Sequence, residues 1–575
     1  MAHDNGSTST VSLLGQEENH PKSLWKRSLF YRPLPQGKRV YFVLLQLILL
    51  NMIGGITEQY FKVILVKYYR VGGASSIPTF VSFRSIPLLL CLPMGFIADR
   101  YFGRAKVLYY SWVSLFMAHL VIGFYFVIAG IIPYNNTVLV IGIVLTSIAL
   151  LINSFSLAGI QVNVIPFGVD QMETASSDQL SSYFHWYYWC RNVGQFFTFS
   201  VGDSLVLSKH DLTSLLVSSF AAAIGVLINI FGYKWFIKKE KVGNPLLLIY
   251  RVLRYAATAK RPAERSAFSF DGRPVPSRID LAKETHHGVF RDERVEDVKT
   301  FLRILVFLVS LLGFLCVYTI INVYVQQSGY FRYPAILSND TALYCSNSSR
   351  NFTVHEFTGI FSLDWILLIN NTTVLLLIPI LDRIVYPLCC PWVPSMLSRM
   401  GVGVVASLIS IICAITIEAV RIHRFESGTS LGINVLLYQS MFSVDISVGV
   451  MAPQLFIQGA AECLTLITVV EFIYAQSPVY MKGLLLGCLF FTEGLALMLG
   501  SLLFLSQSKG NTVFWEYFRT IEKNDNYCDV PVEAGSCITA YIIIAIITFL
   551  GIVLFFYSAR NYKSRIRGTS LKFFI

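Results

Sequence analysis

Four charged residues, Arg84, Arg191, Glu462 and Glu493, stand inside long apolar runs. A charged side chain at bilayer depth costs roughly 2.5–3.5 kcal/mol on insertion scales, so it faces a water-filled path or a partner of opposite sign. Two guanidiniums and two carboxylates placed this way can hold a charged solute, pass a proton, or neutralise one another. Arg84 with Glu493, or Arg191 with Glu462, are the pairs that sequence suggests. None of this is the chemistry of an enzyme. The chain shows no phosphate-cradling glycine loop, no zinc spacing and no nucleophile beside a base, so no cofactor and no metal is expected. His286-His287 has no further Cys or His around it and reads as solvated chain.

The elements that carry these charges are membrane spans. Of 575 residues, 54% are hydrophobic and 14% charged, against about a quarter charged in a soluble protein. About 20 apolar residues make a helix that crosses the hydrocarbon, and these runs are too long and continuous for barrel strands. The fold class expected is an all-α integral membrane protein of twelve transmembrane helices. The runs lie near 40–68, 77–98, 107–132, 138–165, 182–206 and 213–236, then 300–327, 357–381, 395–421, 448–474, 483–506 and 538–559.

The implied organisation is an N-terminal tail (1–39), a six-helix bundle (40–236), a linker (237–299), a second six-helix bundle (300–559) and a C-terminal tail (560–575). Six plus six about a linker is the layout of transporters built from two related bundles, although no clear identity between the halves is visible. The net charge of +12 does not point to nucleic acid. Its basic clusters fall in both tails and the linker, which share one side when the span number is even, and the positive-inside rule makes that side cytoplasmic. The segment from Pro245 to Arg254 reads as a short basic amphipathic helix, suited to the membrane surface or to the base of the bundle. The linker is also a place for cytosolic protein partners.

The sequons Asn135, Asn339, Asn347 and Asn351 fall in loops that this topology places outside, where glycosylation occurs. Cys345, Cys528 and Cys537 share exterior loops, with any pairing open. No signal-peptide core precedes the first span. Ser12-Leu13-Leu14-Gly15 resembles a dileucine sorting signal with Ser9 in place of the usual acid, so plasma membrane and endolysosomal membrane are the two addresses considered.

Several motifs carry a resemblance. Gly95-Phe96-Ile97-Ala98-Asp99-Arg100-Tyr101-Phe102-Gly103-Arg104 resembles the loop between the second and third spans of the major facilitator superfamily. Asp99 there can meet Arg104 or the positive N-terminus of a neighbouring helix, and Asp99, Arg100 and Arg104 are the candidate conformational gate. Pro166-Phe167-Gly168-Val169-Asp170-Gln171, the stretch from Phe184 to Gly194, and Glu471-Phe472-Ile473-Tyr474-Ala475-Gln476-Ser477-Pro478 resemble stretches of the proton-dependent oligopeptide transporter family, nearest its animal peptide/histidine branch.

That resemblance implies two bundles, a central cavity and alternating access, with uptake of small peptides or histidine driven by protons. It assigns Glu462 to the acid on span ten that engages a substrate amine. Asn192, Asn370, Gln161, Tyr324 and Gln326 become polar substrate contacts. Glu471 is assigned to packing at the end of span ten.

The departures from the family pattern bear on mechanism. Gln161 stands where the family has a basic residue, Val325 where many members have an acid, and the span-one acid and arginine pattern is missing, with Glu58 as a partial remnant. A neutral Gln161 donates amide hydrogen bonds but cannot pair a carboxylate as a cation does. Any proton coupling would then run through Glu462, Glu58 or Glu493, with Arg84 and Arg191 as the buried cations. A transport-silent relative serving as membrane scaffold or sensor is the competing expectation.

Overall fold

The computed structural model describes residues 37–67, 73–131, 136–172, 175–202, 211–239, 243–259, 277–334, 337–344, 351–357, 363–388, 395–427, 431–435, 440–506 and 537–562. In hydrocarbon every backbone N–H and C=O needs an internal partner, and the apolar runs answer with helices. The first half holds α1 (Lys38–Lys67), α2 (Gly73–Ile97), α3 (Arg104–Ile131), α4 (Asn136–Asp170), α5 (Ser177–Phe197) and α6 (Asp211–Gly232). A connecting helix, α7 (Pro245–Thr258), precedes α8 (Asp292–Ser310), α9 (Leu312–Thr319) and α10 (Ile321–Ser328). The second half continues with α11 (Leu367–Ile380), α12 (Met396–Glu426), α13 (Ala452–Gln476), α14 (Lys482–Ser506) and α15 (Ile538–Arg560).

Among the described residues ten helices are long and apolar enough to cross a membrane, and α8 with the α9–α10 segment makes an eleventh, bent by 47°. The twelfth expected span is α5. It forms a helix, but Asp178, Ser181, Ser182, His185, Arg191, Asn192 and Gln195 make it too polar to pass as a lipid-facing span. Most of its side chains are buried, against α1, α11 and α13. A helix sheathed by protein needs no apolar surface of its own. The start of span seven also moves: α8 begins at Asp292, so the last residues of the expected 237–299 linker belong to it.

Helix α7 carries the amphipathic pattern. Asn244 caps it by accepting from Leu247 N at 3.2 Å, and Pro245 occupies the first turn, where its missing N–H costs nothing. Its buried stripe of Pro245, Ile249, Val252 and Ala256 rests on α8 and the turn Asp280–Ala282. Lys283 and Lys299 clamp Asp280, and Lys283 also reaches Glu296 at 2.5 Å.

The end of the bundle opposite this linker carries an element that sequence did not suggest. Five strands, β1 (Phe331–Arg332), β2 (Ser338–Tyr344), β3 (Asn351–Phe357), β4 (Leu431–Val435) and β5 (Ser440–Ser447), form one sheet in the order β1-β5-β4-β3-β2. The parallel β3–β4 pair, Val354 opposite Ile433, joins the α10–α11 connection to the α12–α13 connection. Asn339 lies in β2 and Asn351 in β3. Asn135, Asn347, Cys345 and Cys528 lie outside the described residues, and Cys537 is buried.

Below the sheet sits a buried polar knot. Arg421 donates to both carboxylate oxygens of Glu418, each at 3.0 Å. Gln327 Nε2 and the amide of Cys537 donate to the same carboxylate at 2.8 and 3.1 Å. This ties α10, α12 and the start of α15 together.

The two halves meet most closely along α2 and α14, and glycine makes that approach possible. A Cβ on Gly95 would lie 2.5 Å from the carbonyl oxygen of Gly483, and one on Gly487 would lie 2.9 Å from that of Cys91. Small residues at a helix pair let backbones touch. A local repeat also appears where none was expected. Helices α2 and α11 both end in a five-residue π turn, Ala98–Phe102 and Leu381–Val385, each with Asp-Arg at its second and third positions.

Candidate functional site

Helix α5 runs along the seam between the halves, and its spacing builds the site. Tyr188, Arg191 and Gln195 recur at three and four residues, so they share one face. Tyr188 donates its hydroxyl to Glu462 Oε2 on α13 at 3.2 Å. Asn370 Nδ2 on α11 donates to Glu462 Oε1 at 2.8 Å. Glu462 is therefore buried, at 2% exposure, and held by neutral donors from both halves.

The cations on this face have other partners. Arg191 lies 3.6 Å from Glu493 on α14 and donates to the Tyr318 hydroxyl on α9 at 3.1 Å. Its guanidinium also sits over the Tyr188 ring, 5.7 Å from the centroid. Arg84 pairs with Glu58 at 3.3 Å. The two pairings suggested by sequence, Arg84 with Glu493 and Arg191 with Glu462, are thus corrected: the ion pairs are Arg84–Glu58 and Arg191–Glu493. Pattern alone could not choose, because helix register does not reveal which helices become neighbours.

Two adjoining cavities hold these groups. One of about 160 Å³ is lined by Glu58, Arg84, Asn153, Gln161, Arg191 and Glu493 among others. One of about 50 Å³ is lined by Asn370, Asn371, Glu462 and Tyr318, and it shares Arg84, Gln195 and Glu493 with the first. A larger hollow of about 900 Å³ opens outward between α3 and α4 among exposed apolar residues such as Tyr110, Met117 and Phe155. Its lining has no charged side chain to orient a solute.

Other expected contacts fall elsewhere. Asn192 turns back on its own helix and donates to Tyr188 O at 2.9 Å, and it lines neither cavity. Tyr324 is fully buried against Tyr541, ring centroids 5.9 Å apart, also away from both cavities. Tyr318, earlier in the bent span, takes the cavity position instead. The bend between α8 and α9 was not visible in the sequence, and Tyr324 was placed only by its match to a family position. Gln326 lies in α10, with its side chain outside the described set. Glu471 meets Arg399 at 3.7 Å, at the end of α13. Sequence reasoning missed Tyr188, Gln195 and Tyr318. The first two were legible as the three-and-four spacing about Arg191.

The gate residues divide. Asp99 accepts from Arg104 at 3.0 Å and, across the seam, from the amide of Gly483 at 2.9 Å. That amide is one of the unpaired donors that open α14, where partial positive charge collects. Arg104 also reaches Asp170 at 2.7 Å, and Lys239 reaches Asp170 at 3.0 Å. Arg100 stays out of this network and places its guanidinium 5.3 Å from the Tyr101 ring centroid. The second π turn does comparable work. Asp382 accepts from Ser182 on α5 at 3.1 Å, and Arg383 sits over Trp186, 5.7 Å from the ring centroid. At the linker end, therefore, each half is tied to the other through an Asp-Arg turn.

A family model described as the POT family matches residues 111–517. Similar proteins include solute carrier family 15 member 3 of Mus musculus, 25% identical over 62% of this chain and 60% of that protein. The Rattus norvegicus protein of the same name is 24% identical over 72% of this chain and 69% of its own length. Protein NRT1/PTR family 8.3 of Arabidopsis thaliana is 22% identical over 71% of this chain and 70% of that protein. Among solved structures, an auto-inhibited POT family peptide transporter superposes with a TM-score of 0.65 at 17% identity, covering 93% of this chain and 99% of that one. The POT family transporter PepTSo gives 0.64 at 18% identity, covering 92% and 98%.

Proposed function

The chain belongs to the POT family of multi-pass membrane transporters, and from that premise we propose that it is a secondary-active carrier of small peptides, histidine or a related amino-bearing solute. Alternating access is the mechanism: the halves rock about the cavities while the Asp-Arg turns at the linker end open and close. The observation that carries this reading is Glu462. It is a buried carboxylate that lines a cavity between the halves, held by Tyr188 and Asn370 from opposite sides of the seam. A substrate ammonium fits there, and replacing neutral donors with a cation gives the site affinity. Asn371, Gln161, Gln195 and Tyr318 supply polar contacts along the way.

Proton coupling, where present, runs through Glu462, Glu58 or Glu493, the three carboxylates of the two cavities. The tails and linker lie on the cytoplasmic side, at the plasma membrane or an endolysosomal membrane, and Asn135, Asn339, Asn347 and Asn351 lie outside as glycosylation sites. The test is uptake of radiolabelled dipeptide and histidine into proteoliposomes with and without an inward proton gradient. Uptake is expected to fall at least tenfold in Glu462→Gln. Full uptake by that variant, with its pH dependence intact, removes Glu462 from the site.

A second reading has one observation in its favour. Both cavity arginines are already neutralised by carboxylates of the same chain, as suits a protein that has ceased to transport. Exposed Leu247, Tyr250, Arg251 and Arg254 on α7 then serve a scaffold or sensor that recruits cytosolic proteins. Robust uptake that survives deletion of residues 260–276 eliminates it.

A further inference from the structure

We propose that the carrier's preferred substrate is a cationic amine whose other end is uncharged, such as a peptide with an amidated or esterified C-terminus, rather than a zwitterion. The proposal rests on the carrier reading above and specifies its substrate class. Its basis is the charge arrangement of the two cavities. Three carboxylates face two guanidiniums there, and each guanidinium is committed to one carboxylate of its own, Arg84 to Glu58 and Arg191 to Glu493. Arg191 is held further by Tyr318 and by the Tyr188 ring. Among the described residues Glu462 has no cation in ion-pair range. The lining therefore carries one carboxyl group without a cation beside it and offers no guanidinium free of a carboxylate.

The hydrogen-bonding groups left over point the same way. Asn370 and Asn371 are 5% and 4% exposed and line the smaller cavity. Asn370 Oδ1 and Asn371 Nδ2 have no partner. Beside Glu462, Asn370 Oδ1 leaves an acceptor for an ammonium, and Asn371 Nδ2 leaves a donor for a neutral carbonyl. A cavity of about 50 Å³ holds a head group or a few waters, about 10–15 Å³ being enough for one water, and is too small for a whole dipeptide. The substrate body must then extend into the neighbouring cavity of about 160 Å³. There it meets Gln161 and Asn153, whose Oδ1 is buried and unpartnered. Carboxamides match an uncharged amide, which both donates and accepts. A carboxylate would have to break an existing ion pair, and removing one partner from a buried pair leaves an uncompensated charge.

The test compares alanyl-alanine with alanyl-alanine amide on the purified full-length chain, by thermal-shift titration and by uptake into proteoliposomes. The amide is expected to bind at least tenfold more tightly than the free acid. Gln161→Lys, which places a cation in the cavity without touching Glu462, is expected to shift that ratio toward the free acid by tenfold or more. Equal or tighter binding of the free acid by the unaltered protein overturns the proposal, as does binding of neither, or an unchanged ratio in Gln161→Lys. Uptake separates the two levels. Faster uptake of the free acid keeps the carrier and discards the charge preference. Tight binding of the amide without uptake of either compound keeps the preference and discards the carrier.

Discussion

The carboxylate of Asp99 accepts the main-chain amide of Gly483 at 2.9 Å, so the end of α2 in one half caps the start of α14 in the other. A side chain of the first half and a backbone group of the second thus close the linker end together. Apart from proline, no substitution at position 483 removes the donor, but a side chain there can block the approach. A Cβ there would stand 2.5 Å from Asp99 Oδ2.

Gly483→Ala is therefore expected to push the two helices apart and lower stability by about 1–3 kcal/mol, the usual range for overpacking. The drop should appear as a lower Tm in detergent. Spin labels at the linker ends of α2 and α14 should report a longer distance. An unchanged distance distribution would show that the contact does not hold the halves.

The Arg191–Glu493 pair spans the seam at 3.6 Å, with side chains 12% and 8% exposed. Truncating one member of a buried pair costs about 3–5 kcal/mol, because the other charge is left unpaired, whereas replacing both by apolar groups is often near neutral. Arg191→Leu or Glu493→Leu alone should destabilise strongly, and the double variant should recover most of the loss. Additive losses in a thermal-unfolding cycle would mean the two residues act independently.

The knot under the sheet makes a parallel case with a different readout. Glu418→Ala should strand Arg421 and release Gln327 and the Cys537 amide together, again at a cost of about 3–5 kcal/mol. The Cys537 amide donates to Glu418, so the same variant should speed hydrogen exchange at the start of α15. Exchange no faster than in the unaltered chain would contradict this account.

Acid should loosen the linker. Partial burial pushes the Asp280 carboxyl up, but hydrogen bonds from Lys283, Lys299 and Ser277 outweigh this and hold it well below the usual carboxylate range. A carboxylate depressed in the folded state stabilises it at all pH above the unfolded pKa of about 4, and that contribution fades as pH falls through the folded value. Hydrogen exchange across Asp280–Lys283 should rise as pH is taken from 6 to 3, after correction for intrinsic rates. Asp280→Asn should raise it already at pH 7. A flat profile would show that the clamp contributes nothing.

The helices and the central carboxylate could be read from residues alone. Apolar runs fix the helices because hydrocarbon leaves the backbone no alternative. Glu462 stood out as a charge deep in an apolar run, and its family position agreed with that. The helix at α5 was expected too, but its polarity is explained only by the protein around it. The ion pairs were not legible. Sequence matched Arg84 with Glu493 and Arg191 with Glu462, and the true choice depends on which helices meet. Tyr324 was carried over from the family pattern, and a matched position does not say which side of the helix faces the cavity. The strands escaped notice because such short segments carry little periodicity of their own, and the pair that joins their two hairpins, Val354 with Ile433, links residues more than 70 apart.

All five strands of the sheet come from connections within the second half of the chain. Whatever motion the halves make, this canopy must ride with one of them as a rigid passenger. A binder raised against its surface would grip a single moving body and would follow the rocking without having to straddle the joint.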